Sequence, residues 1–433
     1  MNAQPATNTI DKARQLQRKL YLAAKANRKR RFHAMYDKIH RMDILQEAWK
    51  RVKANGGAGG IDKISIDDVK AYGENKLLAE ISEVLNGNNY RPQPVQRTYI
   101  PKSDGSKRPL GIPIIKDRIV QMATKIVIEP VFEADFLDCA YGFRPKRSAL
   151  QAIDKIYEVA DVGDALWVID ADIKDYFGSI NHEKLMLLVK QRISDRRIQK
   201  LIWQWLKAGV MDRGEYQKSE KGAPQGGVIS PLLSNIYLHY FDHVWTKQYS
   251  HLGTLVRYAD DFVIMSKRRE QAGQALQAVR QVMEKLELTI HEGKTKLVDM
   301  YFGKEGFDFL GFHHRFKRGR TKTWKWYWRL FQVPSQKAMK KMRANIKAEF
   351  ASPARTQWSL QAMIKLLNPK IVGMRNYFNR EFAQEKLWHI DKYVVQKFTK
   401  WYNTKRQRQH RLGHMNEIRE LVYRSGLARM RVS

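Results

Sequence analysis

Apolar residues at helical spacing run through most of the chain, and short β-branched and aromatic runs interrupt them. Apolar positions three to four residues apart, with few glycines or prolines, predict helices. The predicted helical segments are 10–50, 118–133, 195–208, 230–246, 268–287, the residues after Asn181, and several segments from Ser335 to the end. Asn181 is expected to cap its helix. The glycine-rich ANGGAGGIDKIS, from Ala54, is expected to be a flexible loop.

Three stretches have the composition of β-strands. Residues 91–118 predict a hairpin with its turn at residues 103–106, and LWVIDADI from Leu166 predicts a single strand. LVRYADDFVIM, residues 255–265, predicts a second hairpin with two adjacent carboxylates at its turn. Strands mixed with helices, without strand-helix-strand repetition, predict an α+β centre, and the C-terminal part is predicted to be all-helical.

Composition places the chain among globular proteins. Its 433 residues, 43% of them hydrophobic, are enough for two or three domains with ordinary cores. The single cysteine, Cys139, excludes an internal disulfide and a multi-cysteine zinc site, as is typical of a reducing compartment. Neither a secretory signal nor a run of roughly 18 apolar residues is found, so we expect a cytoplasmic protein without a membrane partner.

The formal charge of +35 is concentrated in two flanks. Residues 1–42 carry +9 and residues 311–433 carry +23, which leaves +3 for the residues between them. This distribution predicts a catalytic body flanked by surfaces that bind a polyanion. A solvated basic surface is one alternative. Attraction to an anionic membrane is another, and it is disfavoured because the basic segments are interleaved with Trp and Tyr over a long span.

Three carboxylates are candidates for metal chemistry. Asp172 ends an apolar strand, and Asp260 and Asp261 occupy the turn of the later hairpin. A two-metal phosphoryl-transfer site needs carboxylates that hold two divalent cations about 3.5–4 Å apart. Mg²⁺ suits them because it prefers hard oxygen ligands. The alternative is that paired acids are common in turns, but uncompensated charge beside apolar strands would be costly.

The tetrapeptide YADD, residues 258–261, resembles the Y-x-D-D hairpin of reverse transcriptases. Companion blocks follow the family's order over about residues 43–315: IPKSDGSKRPLGIP, CAYGFRPKRSALQAI, VIDADIKDYFGSINHEKL, GAPQGGVISPLLSNIYLHYFD, RYADDFVIM, EGKTKLV and FLGF. Three of these motifs resemble the sequences of the reverse transcriptase/maturases of group II introns, namely RPLGIP, YGFRP and QGGVISPLLSNIYL. The resemblance implies a right-hand polymerase fold. Its expected parts are a basic helical extension (1–42), fingers and palm with antiparallel sheet (43–315), and a basic all-helical thumb/maturase domain (316–433).

The resemblance also assigns site residues. It implies that Asp172, Asp260 and Asp261 are catalytic and bind two Mg²⁺ ions; Asp170 shares the face of Asp172, which is preferred because it aligns with the D-I-K block. The implied dNTP-binding residues are Lys102, Arg108, Phe177, Gln225, Gly226 and Lys294. Phe177 would exclude a 2′-hydroxyl, and Lys294 would assist proton transfer to pyrophosphate. Several of these assignments have an alternative. Phe177 could be a core aromatic, Lys102 and Arg108 could belong to a solvated charged turn, and Gln225 and Gly226 could form a simple glycine turn. The family usually has Asp where this chain has Gly178, which puts the support of that loop in doubt.

The C-terminal region is expected to bind nucleic acid. The candidate residues are Lys337, Lys340, Lys341, Arg343, Lys347 and Arg375. The Trp face of WKWYW, residues 324–328, could stack on bases, although burial of that face is favoured.

The expected function is RNA-directed DNA synthesis together with binding of the intron RNA to assist splicing and mobility. The expected partners are an RNA template, a DNA or RNA primer, dNTPs and target DNA. With one cysteine, we expect no zinc-stabilised endonuclease domain, so priming would need a nick made elsewhere. Two alternatives stay open: a domesticated reverse transcriptase in phage defence, CRISPR spacer acquisition or repair, and an RNA-binding maturase without polymerase activity.

Overall fold

The computed structural model describes residues 6–101, 105, 107–320, 326–409 and 412–431, with the backbone alone for residues 6–11 and 320. The chain forms two compact units. The first comprises residues 1–148, 169–264 and 269–296, and the second comprises 149–168, 265–268 and 297–433. No helix among the described residues combines the length and the apolar character needed to cross a bilayer.

The helices of the described residues are numbered in chain order. They are α1 (Ala6–Ala26), α2 (Tyr36–Ile39), α3 (Met42–Asn55), α4 (Ile66–Tyr72), α5 (Glu74–Asn86), α6 (Ile115–Glu133), α7 (Ala149–Tyr157), α8 (Tyr176–Ser179), α9 (His182–Arg192), α10 (Arg196–Lys207), α11 (Ser230–Val244), α12 (Arg269–Lys285), α13 (Gln336–Glu349), α14 (Leu360–Phe378), α15 (Gln384–Lys405) and α16 (Met415–Arg424).

The strands follow the same order. They are β1 (Val95–Pro101), β2 (Lys107–Ile112), β3 (Trp167–Asp172), β4 (Val210–Asp212), β5 (Glu215–Gln217), β6 (Thr254–Tyr258), β7 (Asp261–Ser266), β8 (Lys296–Asp299), β9 (Gly306–Phe309), β10 (Phe312–Arg320) and β11 (Trp326–Pro334).

Most predicted elements form where local signals placed them. Asn181 caps α9 as predicted, because its side chain accepts a hydrogen bond from the Lys184 N–H at 3.0 Å. The helical stretch predicted over 10–50 is instead α1, α2 and α3. Between α1 and α2, the N–H of Phe32 donates to the carbonyl of Arg192 at 2.7 Å. The prediction of helix over 10–50 is therefore wrong for residues 27–35 and 40–41.

Two four-stranded sheets contain the strands predicted in the chain's centre. The first has the order β2-β1-β4-β5, with β1 and β2 antiparallel as predicted for the first hairpin. The residues of its turn at 102–104 and 106 lie outside the described part. The second has the order β6-β7-β3-β8, so β7 and β3 are neighbours. This adjacency places the end of β3 beside the hairpin that carries the paired carboxylates.

Helix α6 is the central helix of the first unit. It is buried along most of its length, and α1 and α3 pack against it. Asp117 on α6 is almost fully buried, and it accepts hydrogen bonds from the Tyr90 hydroxyl at 2.6 Å and from the Gln93 N–H at 2.9 Å. Burial raises the pKa of Asp117 to about 6, because the charged form loses hydration.

The second unit combines a small sheet with a helical bundle. Its antiparallel strands have the order β11-β10-β9, and α15 packs against α13 and α16. The prediction of an all-helical region from residue 316 is wrong for residues 316–320 and 326–334, where β10 and β11 pair. The helical C-terminal region is confirmed from Gln336 onward.

Candidate active site

The carboxylate-bearing turn is held in a restricted backbone conformation. Strand β6 ends at Tyr258 and β7 begins at Asp261, and between them Ala259 has φ of 58°. This left-handed conformation is uncommon for a residue with a Cβ and persists only where the surroundings enforce it. Gly142 lies against the turn, since a Cβ there would be 2.4 Å from the Ala259 nitrogen. The turn is therefore fixed by close packing as well as by its own sequence.

A buried polar network supports this turn. Arg257 has no exposed surface, and its guanidinium forms a bidentate pair with Asp242, with Nε donating at 2.7 Å. The same guanidinium donates to the carbonyl of Ala259 at 2.9 Å and to Asn235 Oδ1 at 3.3 Å. Asn235 in turn donates to the carbonyl of Gly142 at 2.8 Å. Both sides of the turn are thus connected to one hydrogen-bonded cluster.

Sequence reasoning gave no role to the members of this network. Arg257 and its partners all lie inside the motif blocks that carry the family resemblance. One signal could have identified them: an arginine in the apolar strand LVRY would be very costly to bury without a carboxylate and further acceptors.

The three carboxylates predicted to bind metal interact electrostatically. Burial is the largest cause that raises the pKa of Asp260, and the charge of Asp172 raises it further, partly offset by Arg108 and Arg257. The pKa of Asp261 is raised to about 7, first by loss of hydration and then by Asp260, Asp172 and Asp170. Asp261 is exposed at the surface, yet the protein around it still weakens its hydration. Carboxylates from two distant parts of the chain therefore repel one another at one place.

Lys294 neutralises part of this negative charge. Its ammonium donates to Asp172 Oδ2 at 2.6 Å. The segment before it is attached to the end of β3, because the N–H of His291 donates to the carbonyl of Asp172 at 2.8 Å. Lys294 was predicted beside the triphosphate, and the structure places its ammonium on the first of the predicted metal ligands.

The donor set fits a hard divalent cation. Among the residues that the structure describes, no group of three His, Cys, Asp or Glu side chains is already arranged to hold a metal ion. The carboxylates of Asp172, Asp260 and Asp261 nevertheless supply the oxygen ligands that Mg²⁺ prefers. The pKa values of Asp260 and Asp261 are raised first by burial and then by the charges of neighbouring carboxylates, and a cation would relieve that repulsion. A bound cation would compete with the Lys294 ammonium for Asp172.

A cavity of about 650 Å³ lies beside Asp260 and is lined by four of the predicted dNTP-binding residues, Arg108, Phe177, Gln225 and Gly226. Phe177 is half-buried, while the adjacent Tyr176 fills the core, so the core-aromatic interpretation applies to Tyr176 instead. Lys102 lies outside the described residues. The cavity thus joins side chains that are far apart in the sequence.

Two glycine-containing loops form walls of this cavity. The carbonyl of Gln225 accepts from the N–H of Gly111 at 2.6 Å, and Gly226 has φ of 107° with room for no side chain, since a Cβ would lie 2.8 Å from the Gly111 oxygen. The loop predicted to be flexible at residues 54–65 also contributes. Arg118 donates to the carbonyls of Ala58 and Pro113, which holds that loop against the cavity.

The local structure explains why glycine occupies position 178. Asp175 adopts φ of 41°, and its carboxylate occupies the space beside Gly178, where a Cβ would lie 2.3 Å from Asp175 Oδ2. The loop is also supported by the carbonyl of Phe177, which accepts from the N–H of Ala223 at 2.8 Å. The departure from the family pattern is therefore accommodated by a neighbouring acidic residue.

The second unit presents a basic surface on α13. The five predicted cations of this helix are exposed, namely Lys337, Lys340, Lys341, Arg343 and Lys347. The opposite face of α13 is buried through Met339, Met342 and Ile346. Arg375 is half-buried and donates to the carbonyl of Arg429 at 3.3 Å, so part of its hydrogen-bonding capacity is used within the protein.

The predicted Trp face is not buried. Trp326 and Trp328 are 54% and 39% exposed, so the favoured interpretation of a buried face is wrong for the described tryptophans; Trp324 lies outside the described residues. Arg318 lies over the Trp326 ring at 4.1 Å, and Phe302 meets Trp328 edge to face at 5.7 Å. This edge of the small sheet is therefore both aromatic and basic.

Comparisons with known proteins agree with these features. A model of the reverse transcriptase (RNA-dependent DNA polymerase) family matches residues 100–314, and a model of the group II intron maturase-specific domain matches residues 339–418. Protein YkfC of Escherichia coli strain K12 is 36% identical over 345 residues, covering 71% of this chain and 89% of that protein. Group II intron-encoded protein LtrA of Lactococcus lactis subsp. cremoris is 39% identical over 212 residues, 49% of this chain and 35% of LtrA.

A putative COX1/OXI3 intron 2 protein of Saccharomyces cerevisiae is 32% identical over 202 residues, 46% of this chain and 23% of that protein. The predicted family resemblance is confirmed by both domain matches and by the extent of the YkfC match. The chain belongs to the reverse transcriptase/maturase family of group II introns, whose enzymatic class is RNA-directed DNA polymerase.

Proposed function

We propose that this protein synthesises DNA on an RNA template in the cytoplasm, and that it binds the RNA of a parent group II intron to assist splicing and mobility. The observation that supports the polymerase activity is that the charge of Asp172 acts on both Asp260 and Asp261, beside a cavity of about 650 Å³. A DNA or RNA primer, dNTPs and target DNA complete the proposed set of partners.

The cavity residues have separate roles in this proposal. Two Mg²⁺ ions held by Asp172, Asp260 and Asp261 would lower the pKa of the primer 3′-hydroxyl and neutralise charge on the triphosphate. Arg108, on the cavity wall, pairs with triphosphate oxygens. The ring of Phe177 occupies the space that a ribose 2′-hydroxyl would need, which favours dNTPs over rNTPs.

Gln225 and Lys294 act on opposite ends of the nucleotide. The Oε1 of Gln225 is buried without a hydrogen-bond partner among the described residues, so it is available to accept from the nascent base pair. The Lys294 ammonium, at 2.6 Å from Asp172, is suited to protonate the departing pyrophosphate. Catalysis then depends mainly on positioning and charge neutralisation, as phosphoryl transfer requires.

The RNA-binding function rests on the second unit. The maturase-specific match covers residues 339–418, which include most of the exposed cations of α13. Cations on the solvent side of a helix can follow a phosphate backbone without reading base identity, as suits an RNA recognised by shape. Target site and splicing specificity would come from the RNA itself.

Primer extension with an RNA template, a DNA primer and dNTPs tests the polymerase proposal. We expect Asp260→Asn and Asp260→Ala to abolish incorporation, because each removes one anionic metal ligand. RNA binding, measured by filter retention, should stay near that of the unmodified protein. Asp164→Asn is the matched control, since Asp164 is exposed and its φ of 54° is compatible with asparagine. Strong synthesis by either Asp260 variant would refute the assignment.

The Lys294–Asp172 ion pair favours one second candidate, a maturase that binds RNA without synthesising DNA. In that case the unmodified protein would show no primer extension at any Mg²⁺ concentration and would still promote splicing of its intron. The domesticated alternative retains the polymerase chemistry. A group II ribozyme flanking the coding sequence would exclude it.

A further inference from the structure

A second cavity, of about 450 Å³, lies in the second unit between α15, α16 and the residues that follow α16. We call it the C-terminal cavity. Two aromatic and four cationic side chains dominate its lining: Trp388, Tyr423, Lys392, Arg419, Arg429 and Arg431. The named residues are four positions apart on each helix, Trp388 and Lys392 on α15 and Arg419 and Tyr423 on α16, so each pair lies on one face. The cavity is distant in sequence from every predicted polymerase residue.

The segment after α16 is held rigidly against the bundle. The carboxylate of Asp391 accepts from the N–H of Met430 at 2.7 Å and from the N–H of Arg431 at 3.0 Å. The Asn368 amide donates to the carbonyl of Gly426 at 2.9 Å and accepts from the N–H of Ala428 at 2.8 Å. The backbone positions of the two terminal arginines are thus fixed before any ligand binds, which lowers the entropic cost of binding.

The four cations of the cavity outnumber its one carboxylate, Asp391, whose charge interacts with Arg429. None of its four cations forms an ion pair with a carboxylate within the part of the chain that the structure describes. The acidic residue of the lining, Asp391, is buried and its oxygens already accept two backbone N–H groups. Arg419, Arg429 and Arg431 are exposed. An anion entering the cavity could therefore bind these guanidinium groups without first breaking an ion pair with a carboxylate.

The aromatic residues offer surfaces for a flat ring. Trp388 is 41% exposed and has the Lys392 ammonium 5.6 Å from its ring centroid. The Arg429 guanidinium lies over the Tyr423 ring at 4.4 Å, which orients its planar fork. An exposed indole beside cations is the combination that binds a base by stacking and its phosphates by charge. A duplex cannot place a single base in a cavity of this size, so the ligand must be unstacked.

We propose that the C-terminal cavity binds one unstacked nucleotide of a single-stranded nucleic acid, with its base against Trp388 and its flanking phosphates on Arg419, Arg429 and Arg431. This inference rests on the proposed function only for the source of the strand, which we take to be intron RNA. Exposed arginines that extend from the cavity to the surface favour a continuous strand over a free nucleotide, because they can follow successive phosphates.

The experiment uses the full chain and a 12-nucleotide RNA that carries one 4-thiouridine and a 5′ fluorophore. We expect photocross-links to peptides containing Trp388 or Tyr423. In anisotropy titrations, Trp388→Ala and Arg419→Gln should each weaken binding about tenfold, as expected for loss of one stacked base or one charged contact. Arg419→Gln should also lower the slope of log K against log salt by about 0.7.

Arg424→Gln is the matched control, because Arg424 lies on α16, is exposed, and is not part of the cavity lining. A DNA strand of the same sequence separates the sources: tighter RNA binding supports intron RNA, and tighter DNA binding supports a DNA strand in the same site. Full competition by uridine monophosphate at the oligonucleotide's own concentration would overturn the proposal in favour of a free nucleotide. Cross-links elsewhere, with both variants binding like the unmodified protein, would also overturn it.

Primer extension separates this inference from the polymerase proposal. We expect Trp388→Ala and Arg419→Gln to extend a preformed short primer-template at the unmodified rate, because neither residue lines the cavity beside Asp260. Absence of extension by the unmodified protein would refute the polymerase proposal. The cross-linking result would still decide whether the C-terminal cavity binds a nucleotide.

Discussion

Arg257 shows how one buried charge can position the turn that carries Asp260 and Asp261. A guanidinium without exposed surface is tolerated because Asp242 balances its charge and because neutral acceptors take its remaining N–H groups. One of these acceptors is the carbonyl of Ala259, immediately before Asp260. The placement of the Asp260 carboxylate therefore depends on a side chain that does not itself line the cavity beside Asp260.

We predict that Arg257→Lys lowers kcat for dNTP incorporation by about 100-fold, the cost expected when a catalytic group is displaced by about 1 Å. Lysine keeps the charge but lacks the planar fork that reaches Asp242 and Ala259 together. KM for dNTP should change little, because the residues of the nucleotide cavity remain in place. Steady-state primer extension measures both constants.

Arg213→Lys is the matched control for that substitution, since Arg213 lies in an exposed turn. Thermal unfolding of both variants verifies that each is folded. A folded Arg257→Lys protein with unchanged kcat would show that the network does not position the turn.

At the scale of elements, the small sheet of the second unit contains a histidine that cannot be charged without cost. His314 on β10 is completely buried and stacks on Phe307 with ring centroids 4.7 Å apart. Burial lowers the pKa of His314 to about 3. In the unfolded chain the same imidazole would titrate near 6.5. The unfolded state therefore takes up a proton that the folded state refuses as the pH falls below about 6.5.

We predict that the free energy of unfolding of the second unit decreases between pH 7 and pH 5, with His314 contributing up to about 2 kcal/mol of that loss. His314→Gln should reduce this pH dependence, because the amide is neutral throughout. Urea unfolding at the two pH values, followed by tryptophan fluorescence, measures the effect. The half-buried His313 of the same strand provides the control variant His313→Gln, which should retain the pH dependence of the unmodified protein. An identical pH dependence in the His314 variant would contradict the prediction.

For the whole molecule, most of the net positive charge lies in the C-terminal flank. The flank from residue 311 carries +23, and the described cations of α13 are exposed on the side opposite its buried methionines. None of these five cations forms an ion pair with a carboxylate in the part of the chain described by the structure. Such a surface gains affinity for nucleic acid by releasing condensed counterions, so its contribution must depend on salt.

We predict that the triple substitution Lys340→Gln, Lys341→Gln and Lys347→Gln weakens binding of structured intron RNA. The slope of log K against log salt should fall in magnitude by about 2, because each phosphate that is no longer neutralised contributes somewhat less than one. Filter binding at several salt concentrations measures the slope. Lys200→Gln, Lys207→Gln and Lys285→Gln remove the same charge from other helices and should leave the slope nearly unchanged. Equal slopes for the two triple variants would show that α13 does not contact the RNA.

The amino-acid sequence by itself determined the features that depend on neighbours along the chain. The cap at Asn181, the hairpin of β6 and β7, and the position of the paired carboxylates at its turn all follow from hydrogen bonds and side-chain alternation within a few residues. The family motifs predicted the candidate site residues in the same local way.

Only the tertiary structure decided which distant groups meet. Three contacts join residues far apart in sequence: the ion pair of Lys294 with Asp172, the ion pair of buried Arg257 with Asp242, and the hydrogen bond of Phe32 to Arg192. The exposure of Trp326 was likewise undetermined, because alternation specifies which residues share a face and not what covers that face. The physical reason is that helix and strand periodicity reports local geometry, whereas contacts between elements arise from packing of the whole chain.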